Sequence, residues 1–283
     1  MRTKRSLLLV TALLFVAPTP GATARASAAC GDPVHVAEVY PSADVLPENL
    51  LRFYVYFSKP MARRAAVDSI RIEDTTGAVV AGAFLSMRFA LWSPDRKRLT
   101  LVLDPGRVKT GLSSHDALGR ALSPGRRYNL VIPESLHDVR GCALATPHRK
   151  TFTVTQADLS PPAPQSWRIA APRAETREPL RITLDGSYDH VSLAYRLRVR
   201  NSFGEVVAGS IRLSSLETEW VFTPRSKWSG NSYTVVVDPI LEDLAGNRLG
   251  SLFDRPADRE THQQSVASHT LLFSPTAALI FKP

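Results

Sequence analysis

Residue types that could carry out catalysis are scattered along this chain of 283 residues. None of the seven histidines belongs to a closely spaced pair of the kind that holds a catalytic zinc ion. The sequence contains neither the Gly-x-Ser-x-Gly segment that presents a serine nucleophile nor a glycine-rich phosphate-binding loop. Because catalysis needs its reactive groups in one place, we predict a protein that is not an enzyme and that holds no cofactor.

The densest group of polar residues is Glu242, Asp243 and Asn247, with Asp254 and Asp258 further along the chain. Carboxylate and amide oxygens around a glycine turn could bind Ca²⁺, which takes about six to eight oxygen ligands. The segment lacks the alternating Asp/Asn pattern of a dedicated calcium loop. The alternative is a turn in which Asp243 accepts hydrogen bonds from the nearby backbone. We favour the turn and keep Glu242, Asp243 and Asn247 as the candidate calcium ligands.

Three aromatic residues are candidate ligand contacts. Tyr54 and Tyr56 alternate with apolar residues in the segment 51–57, which predicts that both lie on the outer face of a strand. Together with Trp92 they could stack on sugar rings, because such side chains tolerate both water and apolar partners. The alternative is that these side chains pack under loops or against a neighbouring domain.

Residues 1–29 have the layout of a secretory signal peptide. A basic start, Arg2-Thr-Lys-Arg5, precedes an apolar run over residues 7–17, which is shorter than the roughly 20 residues that span a bilayer. Ala26-Ser-Ala28 fits a cleavage site. We therefore predict a secreted, periplasmic or cell-surface protein that is not an integral membrane protein.

The two cysteines, Cys30 and Cys142, are expected to form a disulfide in an oxidising compartment. This bond would close a loop of roughly 110 residues and contribute at most about 4–5 kcal/mol through loop-closure entropy. The alternative is a lipid anchor on Cys30, since bacterial lipoproteins carry a cysteine directly after the signal. Ser27 stands where such signals usually have leucine, so we favour the disulfide.

The positive charge of the chain argues against nucleic acid as a partner. The formal net charge is +9, but four of the basic residues lie within residues 1–29. The remaining excess is mild and lacks the dense basic stripe of a nucleic-acid-binding protein. Envelope proteins or surface glycans are the expected partners.

The chain contains an internal repeat. Residues 128–144 align without gaps with residues 233–249 at an offset of 105, and residues 77–82 match 204–209 at an offset of 127. A proline-rich stretch separates the two copies and predicts a semi-rigid spacer. The predicted organisation is a signal peptide (1–29), a first domain (30–157), a linker (158–166) and a second domain (167–283).

Alternation of apolar and polar residues dominates both copies, as in residues 51–57 and 180–184. Short alternating segments between turn residues predict antiparallel strands in a β-sandwich. A glycine also stands three residues before Tyr128 and Tyr233. This spacing predicts a tyrosine corner, in which the phenol is hydrogen-bonded to the nearby backbone.

These motifs resemble a known family. Phe57-Ser-Lys-Pro-Met61, the Gly-x-Val-Val-x-Gly turn, Gly-x-x-Tyr and Asp-x-x-Gly-x-x-Leu are similar to the bacterial Ig-like domain of S-layer proteins, of the SbsA type. The first copy matches nearly end to end, whereas the second has Asp185-Gly-Ser-Tyr-Asp189 in place of the Ser-Lys-Pro-Met step. The resemblance implies an all-β fold of two tandem Ig-like antiparallel β-sandwich domains.

The same resemblance implies a non-catalytic structural or interaction module on a secreted or envelope protein. The alternative function is a module that binds a glycan or protein ligand. Its binding site would be the aromatic face of the first domain or the cleft between the domains.

Overall fold

The computed structural model describes residues 30–63, 67–86, 90–110, 112, 119–254 and 268–277. The predicted signal peptide and Asp258 lie outside these ranges. Below, the N-terminal half means residues 34–157 and the C-terminal half means residues 167–283. The fold is all-β, with two antiparallel Ig-like sandwiches in tandem.

The N-terminal half consists of two four-stranded sheets. Its strands are β1 (Val36–Tyr40), β2 (Val45–Pro47), β3 (Arg52–Phe57), β4 (Arg71–Asp74), β5 (Leu91–Trp92), β6 (Arg98–Val102), β7 (Arg127–Ile132) and β8 (His148–Thr155). The sheet orders are β1-β3-β6-β5 and β2-β8-β7-β4, in which only the β2–β8 pair is parallel. A short helix α1 (Pro105–Val108) follows β6.

The C-terminal half repeats this arrangement. Its strands are β9 (Arg168–Ala170), β10 (Leu180–Thr183), β11 (Leu197–Arg200), β12 (Gly209–Leu213), β13 (Glu219–Pro224), β14 (Tyr233–Val237) and β15 (His269–Phe273). They form sheets β9-β10-β13-β12 and β11-β14-β15, and helix α2 (His190–Arg196) precedes β11.

Strand order shows that the sequence repeat is also a structural repeat. The sheet β1-β3-β6-β5 corresponds to β9-β10-β13-β12, and β4-β7-β8 corresponds to β11-β14-β15. Tyr128 pairs with Phe152 across β7 and β8, and Tyr233 pairs with Phe273 across β14 and β15. Equivalent residues of the two copies therefore have equivalent neighbours.

Aromatic side chains fill the space between the two sheets of each half. In the N-terminal half, Phe53 on β3 meets Phe152 on β8 with ring centroids 5.5 Å apart. In the C-terminal half, Trp228 packs edge-on against Tyr233 and Phe273, at centroid distances of 5.0 and 5.6 Å. Because strand side chains alternate between faces, the apolar residues two positions from Phe53, Phe152, Tyr233 and Phe273 along their strands face the same core.

Both predicted tyrosine corners are present. The backbone N–H of Ser123 donates to the phenol oxygen of Tyr128 at 3.1 Å, and that of Ser229 donates to the phenol oxygen of Tyr233 at 2.9 Å. Each bond satisfies a backbone donor of the loop that enters the strand, and it thereby fixes the crossover between sheets.

The predicted disulfide is confirmed. Both Cys30 and Cys142 are disulfide-bonded, and the sequence has no other cysteine. The bond occupies the sulfur of Cys30 that a lipid anchor would require. Within the described ranges, no helix is both long and apolar enough to cross a bilayer.

Replacing Tyr233 with Phe should lower the free energy of unfolding by about 1–2 kcal/mol, because the N–H of Ser229 loses its acceptor. Tyr128→Phe should have a similar effect through Ser123. Urea denaturation followed by circular dichroism measures both values. Tyr195 is exposed, so Tyr195→Phe is the matched control, with an expected change within about 0.5 kcal/mol. An equal response of Tyr233→Phe and the control would contradict the assigned role.

Candidate functional site at the junction of the two halves

Asp138 and Asp243 build the same turn in the two copies. Oδ1 of Asp243 accepts hydrogen bonds from the backbone N–H groups of Ala245 (2.8 Å) and Asn247 (2.9 Å). Oδ1 of Asp138 accepts the equivalent bonds from Arg140 (2.8 Å) and Cys142 (2.9 Å). Such bonds replace the backbone pairing that a tight turn leaves open, which supports the turn interpretation of both segments.

The candidate calcium ligands have partners inside the protein. Glu242 accepts from Arg52 (2.6 Å) through one carboxylate oxygen and from Arg248 (2.6 and 2.9 Å) through the other. Asn247 donates to Asp243 (2.9 Å) through its amide nitrogen and accepts from the N–H of Phe253 (3.0 Å) through its amide oxygen. Within the described ranges, no group of three or more His, Cys, Asp or Glu side chains is placed to hold a metal ion.

The second of these turns lies against the N-terminal half. The backbone N–H of Leu51 donates to the carbonyl of Leu244 at 2.9 Å. Gly246 has a φ of +78°, and a Cβ atom there would come within 2.4 Å of Cδ2 of Leu51. Glycine is thus required at this position both by the backbone conformation and by the close approach of the two halves.

The outer face of β3 is the N-terminal side of this junction. The phenol of Tyr54 donates to the carboxylate of Asp189, at 3.0 and 2.9 Å from its two oxygens. The guanidinium of Arg52 lies 2.6 Å from Glu242 and 3.7 Å from Asp189. Tyr54 is only 4% exposed. Tyr54 thus follows the alternative given above, in which its side chain packs against the other half and is not an exposed ligand contact.

Asp189 is positioned by the helix that it begins. Its Oδ1 accepts from the N–H of Ser192 at 2.8 Å, which caps the first turn of α2. Ser192 in turn accepts from the N–H of Glu242 (2.9 Å) through its hydroxyl. Burial raises the pKa of Asp189; Arg52, Ser192 and Tyr54 oppose the rise, and the net shift is upward.

Tyr56 and Trp92 lie on opposite faces of the first sheet. Trp92 pairs with Leu99 on β6, and Leu99 pairs with the core residue Val55 on β3. Cross-strand partners share a face, so Trp92 points to the core side, where its ring contacts that of Phe57 (5.7 Å). The structure therefore does not bring Trp92 together with the two tyrosines.

Tyr56 instead belongs to an aromatic cluster at the junction. Its ring contacts Tyr40 edge-on at 5.6 Å and His190 of α2 at 6.1 Å. Tyr40 and His190 are stacked on each other. Burial raises the pKa of Tyr56, Arg98 lowers it and Tyr195 adds to the rise, with a net upward shift.

A buried glutamate extends the junction beside this cluster. Glu217 is fully buried, and its carboxylate accepts from the N–H of Ser42 at 3.0 Å. The hydroxyl of Ser42 accepts from the N–H of Leu216 at 2.8 Å. Leu216 and Glu217 have φ values of +66° and +50°, a conformation that costs non-glycine residues about 1–3 kcal/mol each. The contact with Ser42 is made from this strained turn.

Asp254 binds the N-terminal half at a third place. Its carboxylate accepts from the N–H and hydroxyl of Thr110 (2.8 and 2.9 Å) and from the guanidinium of Arg120 (2.8 Å). Burial raises the pKa of Asp254, but the bonds from Thr110 and Arg120 outweigh it, and the net shift is downward. Asp254, which the sequence placed further along the chain from the candidate calcium ligands, is thus part of the contact between the halves.

The beginning of the linker is bound by both halves. Asn49 donates to the carbonyl of Asp158 (2.9 Å) and accepts from its N–H (2.9 Å). Asn247 donates to the same carbonyl at 3.1 Å. Two side-chain amides, one from each half, therefore hold the backbone of a single residue.

Sequence reasoning singled out several of these residues, such as Tyr54 and Glu242, but did not predict that they meet at a junction. Their partners lie far away along the chain, as with Tyr54 and Asp189, which are 135 positions apart. One signal was available, because Asp189 ends the segment in which the second copy departs from the family pattern. That departure supplies the carboxylate for Tyr54. The polar side chains of the junction thus form hydrogen bonds and ion pairs with one another, and these contacts join the two halves.

Comparison with known proteins assigns no family. No protein-family model and no curated protein matches the chain. A fragment of native alpha-2-macroglobulin from Escherichia coli is similar at 14% identity over 88% of this chain and 74% of that chain, with a TM-score of 0.29. A chimeric titin Z1Z2 shows 11% identity over 88% and 95%, with a TM-score of 0.28. The S-layer protein rSbsC shows 10% identity over 90% and 42%, with a TM-score of 0.30.

At these scores the likenesses carry no argument for a family or a function. The class of protein is defined by the chain's own strand order: an all-β protein of two tandem Ig-like sandwiches. A polar junction links the two sandwiches.

The two equivalent turn carboxylates should respond to pH in opposite ways. Burial raises the pKa of Asp243 to about 7, with Asp158 adding to the rise against the bonds from Asn247. Burial also acts on Asp138, but the bonds from Cys142 and Arg140 outweigh it and lower its pKa.

Protonated Asp243 is favoured in the folded state. Its contribution to stability is therefore complete below the unfolded pKa, near 3.9, and is lost as the pH rises to about 7. One pKa unit corresponds to about 1.4 kcal/mol, so the loss is on the order of a few kcal/mol. Asp243→Asn should remove this decline, as measured by urea unfolding between pH 4.5 and 8.

Asp138→Asn is the matched control for this measurement. Since the pKa of Asp138 is lowered in the folded state, the stability it contributes is present above the unfolded pKa and is lost as the pH falls. The variant should be less stable than the natural chain near pH 7, with a difference that shrinks towards pH 3. A pH profile of Asp243→Asn that is parallel to that of the natural chain would contradict the assignment.

Proposed function

We propose that the protein is a non-catalytic structural and interaction module of the cell envelope, secreted and then held as one rigid pair of Ig-like domains. The proposed domains are residues 30–157 and 167–283, joined by the linker 158–166. The observation that carries this proposal is the use of the polar side chains. The carboxylates and other polar groups that could have served in catalysis or metal binding instead close turns or join the two halves. We further propose membership of the SbsA-type Ig-like family.

The strength of the junction supports a rigid pair. Exposed ion pairs contribute about 0–1 kcal/mol, whereas loss of one partner from a buried pair costs about 3–5 kcal/mol. Arg52 lies between these limits, because it is partly exposed while Asp189 is buried. The phenol of Tyr54 adds a buried hydrogen bond to the same carboxylate. Several such contacts along one face are enough to oppose independent motion of the two domains.

Two further features support the proposed location. The leader-like composition of residues 1–29 is that of exported proteins. A disulfide between Cys30 and Cys142 persists in oxidising compartments and is rare in the cytosol. Periplasm, outer surface and extracellular medium all satisfy both conditions, and we propose envelope proteins or surface glycans as the partners.

Removal of the guanidinium of Arg52 should uncouple the domains. We expect the mature chain to unfold in one calorimetric transition and Arg52→Ala to unfold in two. The variant should lose about 2–3 kcal/mol, since Asp189 loses its cation and Glu242 keeps only Arg248. Small-angle X-ray scattering should show a larger radius of gyration for the variant. Tyr54→Phe, which removes only one hydrogen bond, should show a smaller loss of about 1 kcal/mol.

Arg181→Ala is the matched control. Arg181 forms an exposed ion pair with Glu219 inside the C-terminal half, at 3.2 Å. Its removal deletes the same kind of charge without touching the junction, and the single transition should persist. Two transitions in the natural chain would refute the rigid pair, and one unchanged transition in Arg52→Ala would refute the role assigned to Arg52.

The aromatic cluster favours a second function, a ligand-binding module at the cleft between the halves. Tyr40 and Tyr56 are half-buried and Tyr195 is exposed, so rings with polar ends border the junction on its open side. Aromatic rings next to hydrogen-bonding groups suit glycans. Neither cofactor nor metal enters this proposal.

A glycan array tests the second function. If the cluster binds sugar, Tyr56→Ala and Tyr195→Ala should each reduce the signal of the mature chain by about tenfold or more. Phe203 follows α2 in the sequence and carries an exposed aromatic ring that is not part of the cluster, so Phe203→Ala serves as the control. Binding that survives both tyrosine variants would place the ligand elsewhere, and an array without signal would leave only the structural function.

A further inference from the structure

The outer face of the sheet β11-β14-β15 carries an unusual set of side chains. One cross-strand row consists of Arg198, Val236 and Thr270. The next row consists of Val206, Arg200, Thr234 and Leu272. We call these seven residues the arginine face. Their neighbours along each strand, such as Val199 and Val235, point into the core.

On the equivalent face of the N-terminal half, the arginines share a carboxylate partner. The corresponding row has Glu73 where the C-terminal half has Arg200. The Glu73 carboxylate accepts from Arg71 at 2.8 Å and from Arg149 at 2.9 Å. Burial raises the pKa of Glu73, but the two arginines outweigh it and the net shift is downward. Two cations and one anion thus satisfy one another on that sheet.

On the arginine face, Arg200 occupies the position of Glu73, so this carboxylate partner is replaced by a second cation. Within the described ranges, neither Arg198 nor Arg200 forms an ion pair; each guanidinium donates to a main-chain carbonyl, of Leu197 (2.9 Å) and Gly204 (2.6 Å) respectively. Both arginine side chains are exposed. In the described part of the chain, the second copy therefore presents two positive charges that no carboxylate neutralises.

Exposed apolar residues border these charges. Leu272 stands where the first copy has Thr151, and it is 73% exposed. Phe203, at the tip of the hairpin that Arg200 and Val206 close, is 83% exposed and stands where the first copy has Thr76. In the first copy the Thr76 hydroxyl donates to Asp74 at 2.6 Å and serves the turn. The phenyl ring of Phe203 cannot form such a hydrogen bond.

We propose that the arginine face binds an acidic protein segment in which carboxylates alternate with apolar side chains. Arg198 and Arg200 lie two residues apart on one side of β11, which separates them by about 7 Å. Carboxylates on one side of an extended segment have the same spacing. A guanidinium binds a carboxylate through two parallel hydrogen bonds, and Leu272 and Phe203 supply the apolar contacts that anchor an interface.

The number of charges favours a protein over a membrane. Attraction to acidic lipids usually takes a cluster of about four to eight lysines or arginines, and this face has two. The combination of two arginines with exposed leucine and phenylalanine is instead the composition of a small protein-binding patch. The proposal rests on the proposed interaction module, for which it names the partner-binding surface.

The test is a titration of the isotopically labelled mature chain with a short synthetic peptide in which Glu and Leu alternate. Amide chemical shifts should change on β11, β14 and β15, and a peptide in which Lys replaces Glu should cause no such change. The variant Arg200→Glu/Leu272→Thr should bind at least about tenfold more weakly. Its two new residues are those that the first copy carries at these positions, so the fold accommodates them.

Arg212→Glu is the matched control, since Arg212 is an exposed arginine on the other sheet of the same half. It should bind the peptide as tightly as the natural chain does. Shifts that avoid the arginine face, or equal affinity of the double variant, would overturn the proposal.

Other occupants of the face give distinct results that also overturn it. Sedimentation of the chain with equimolar phosphatidylglycerol and phosphatidylcholine vesicles, lost in the double variant, would assign the face to a membrane. A dimer that the double variant dissociates would assign it to a second copy. Hydroxyl-radical footprinting that leaves Phe203 and Leu272 unlabelled in the free chain would show that the chain itself covers the face. Calorimetry of Arg52→Ala is independent of all these outcomes, so the rigid pair and the binding surface fail separately.

Discussion

A buried carboxylate, that of Asp189, sets the relation between the two halves. A charge removed from water costs several kcal/mol unless hydrogen bonds and counter-charges replace its hydration. Ser192 supplies one bond from within the C-terminal half, while Tyr54 and Arg52 supply the remainder from the N-terminal half. A docking arrangement that displaced those two residues without admitting water would leave the charge unpaired. The carboxylate therefore selects one arrangement more than it adds net stability.

The two copies have kept their backbone chemistry and have changed their surfaces. Tyrosine corners, turn aspartates and strand order recur because each satisfies backbone groups that any such sandwich must satisfy. Side chains on the outer faces carry no such requirement. In the first copy, the outer face of β3 has become the contact with the second. In the second copy, the outer face of β11 carries the exposed side chains of Arg198 and Arg200. A duplicated fold can in this way assign different surfaces to different tasks.

Local features were predictable from the sequence, whereas the junction was not. The hydrogen bond from Ser229 to Tyr233 spans four residues, so a short motif contains both of its ends. The bond from Tyr54 to Asp189 spans 135 residues, and alternation shows only that Tyr54 points away from its own core. It cannot show that another domain covers that side. Trp92 was misplaced for a related reason, since its face depends on the register of β5 against β6.

The bonds to Asp158 bear on how the connection between the domains can change. Asn49 binds the N–H and the carbonyl of this residue and Asn247 binds the same carbonyl, so the chain is already anchored before the prolines begin. Pro162 is buried, and the exposed residues 159–161 bridge the gap between these two fixed points. Insertions or deletions there would be nearly neutral for domain geometry, and natural variation in linker length would say little about the angle between the sandwiches. A substitution of Asn49 or Asn247 would instead indicate that the angle between the sandwiches has changed.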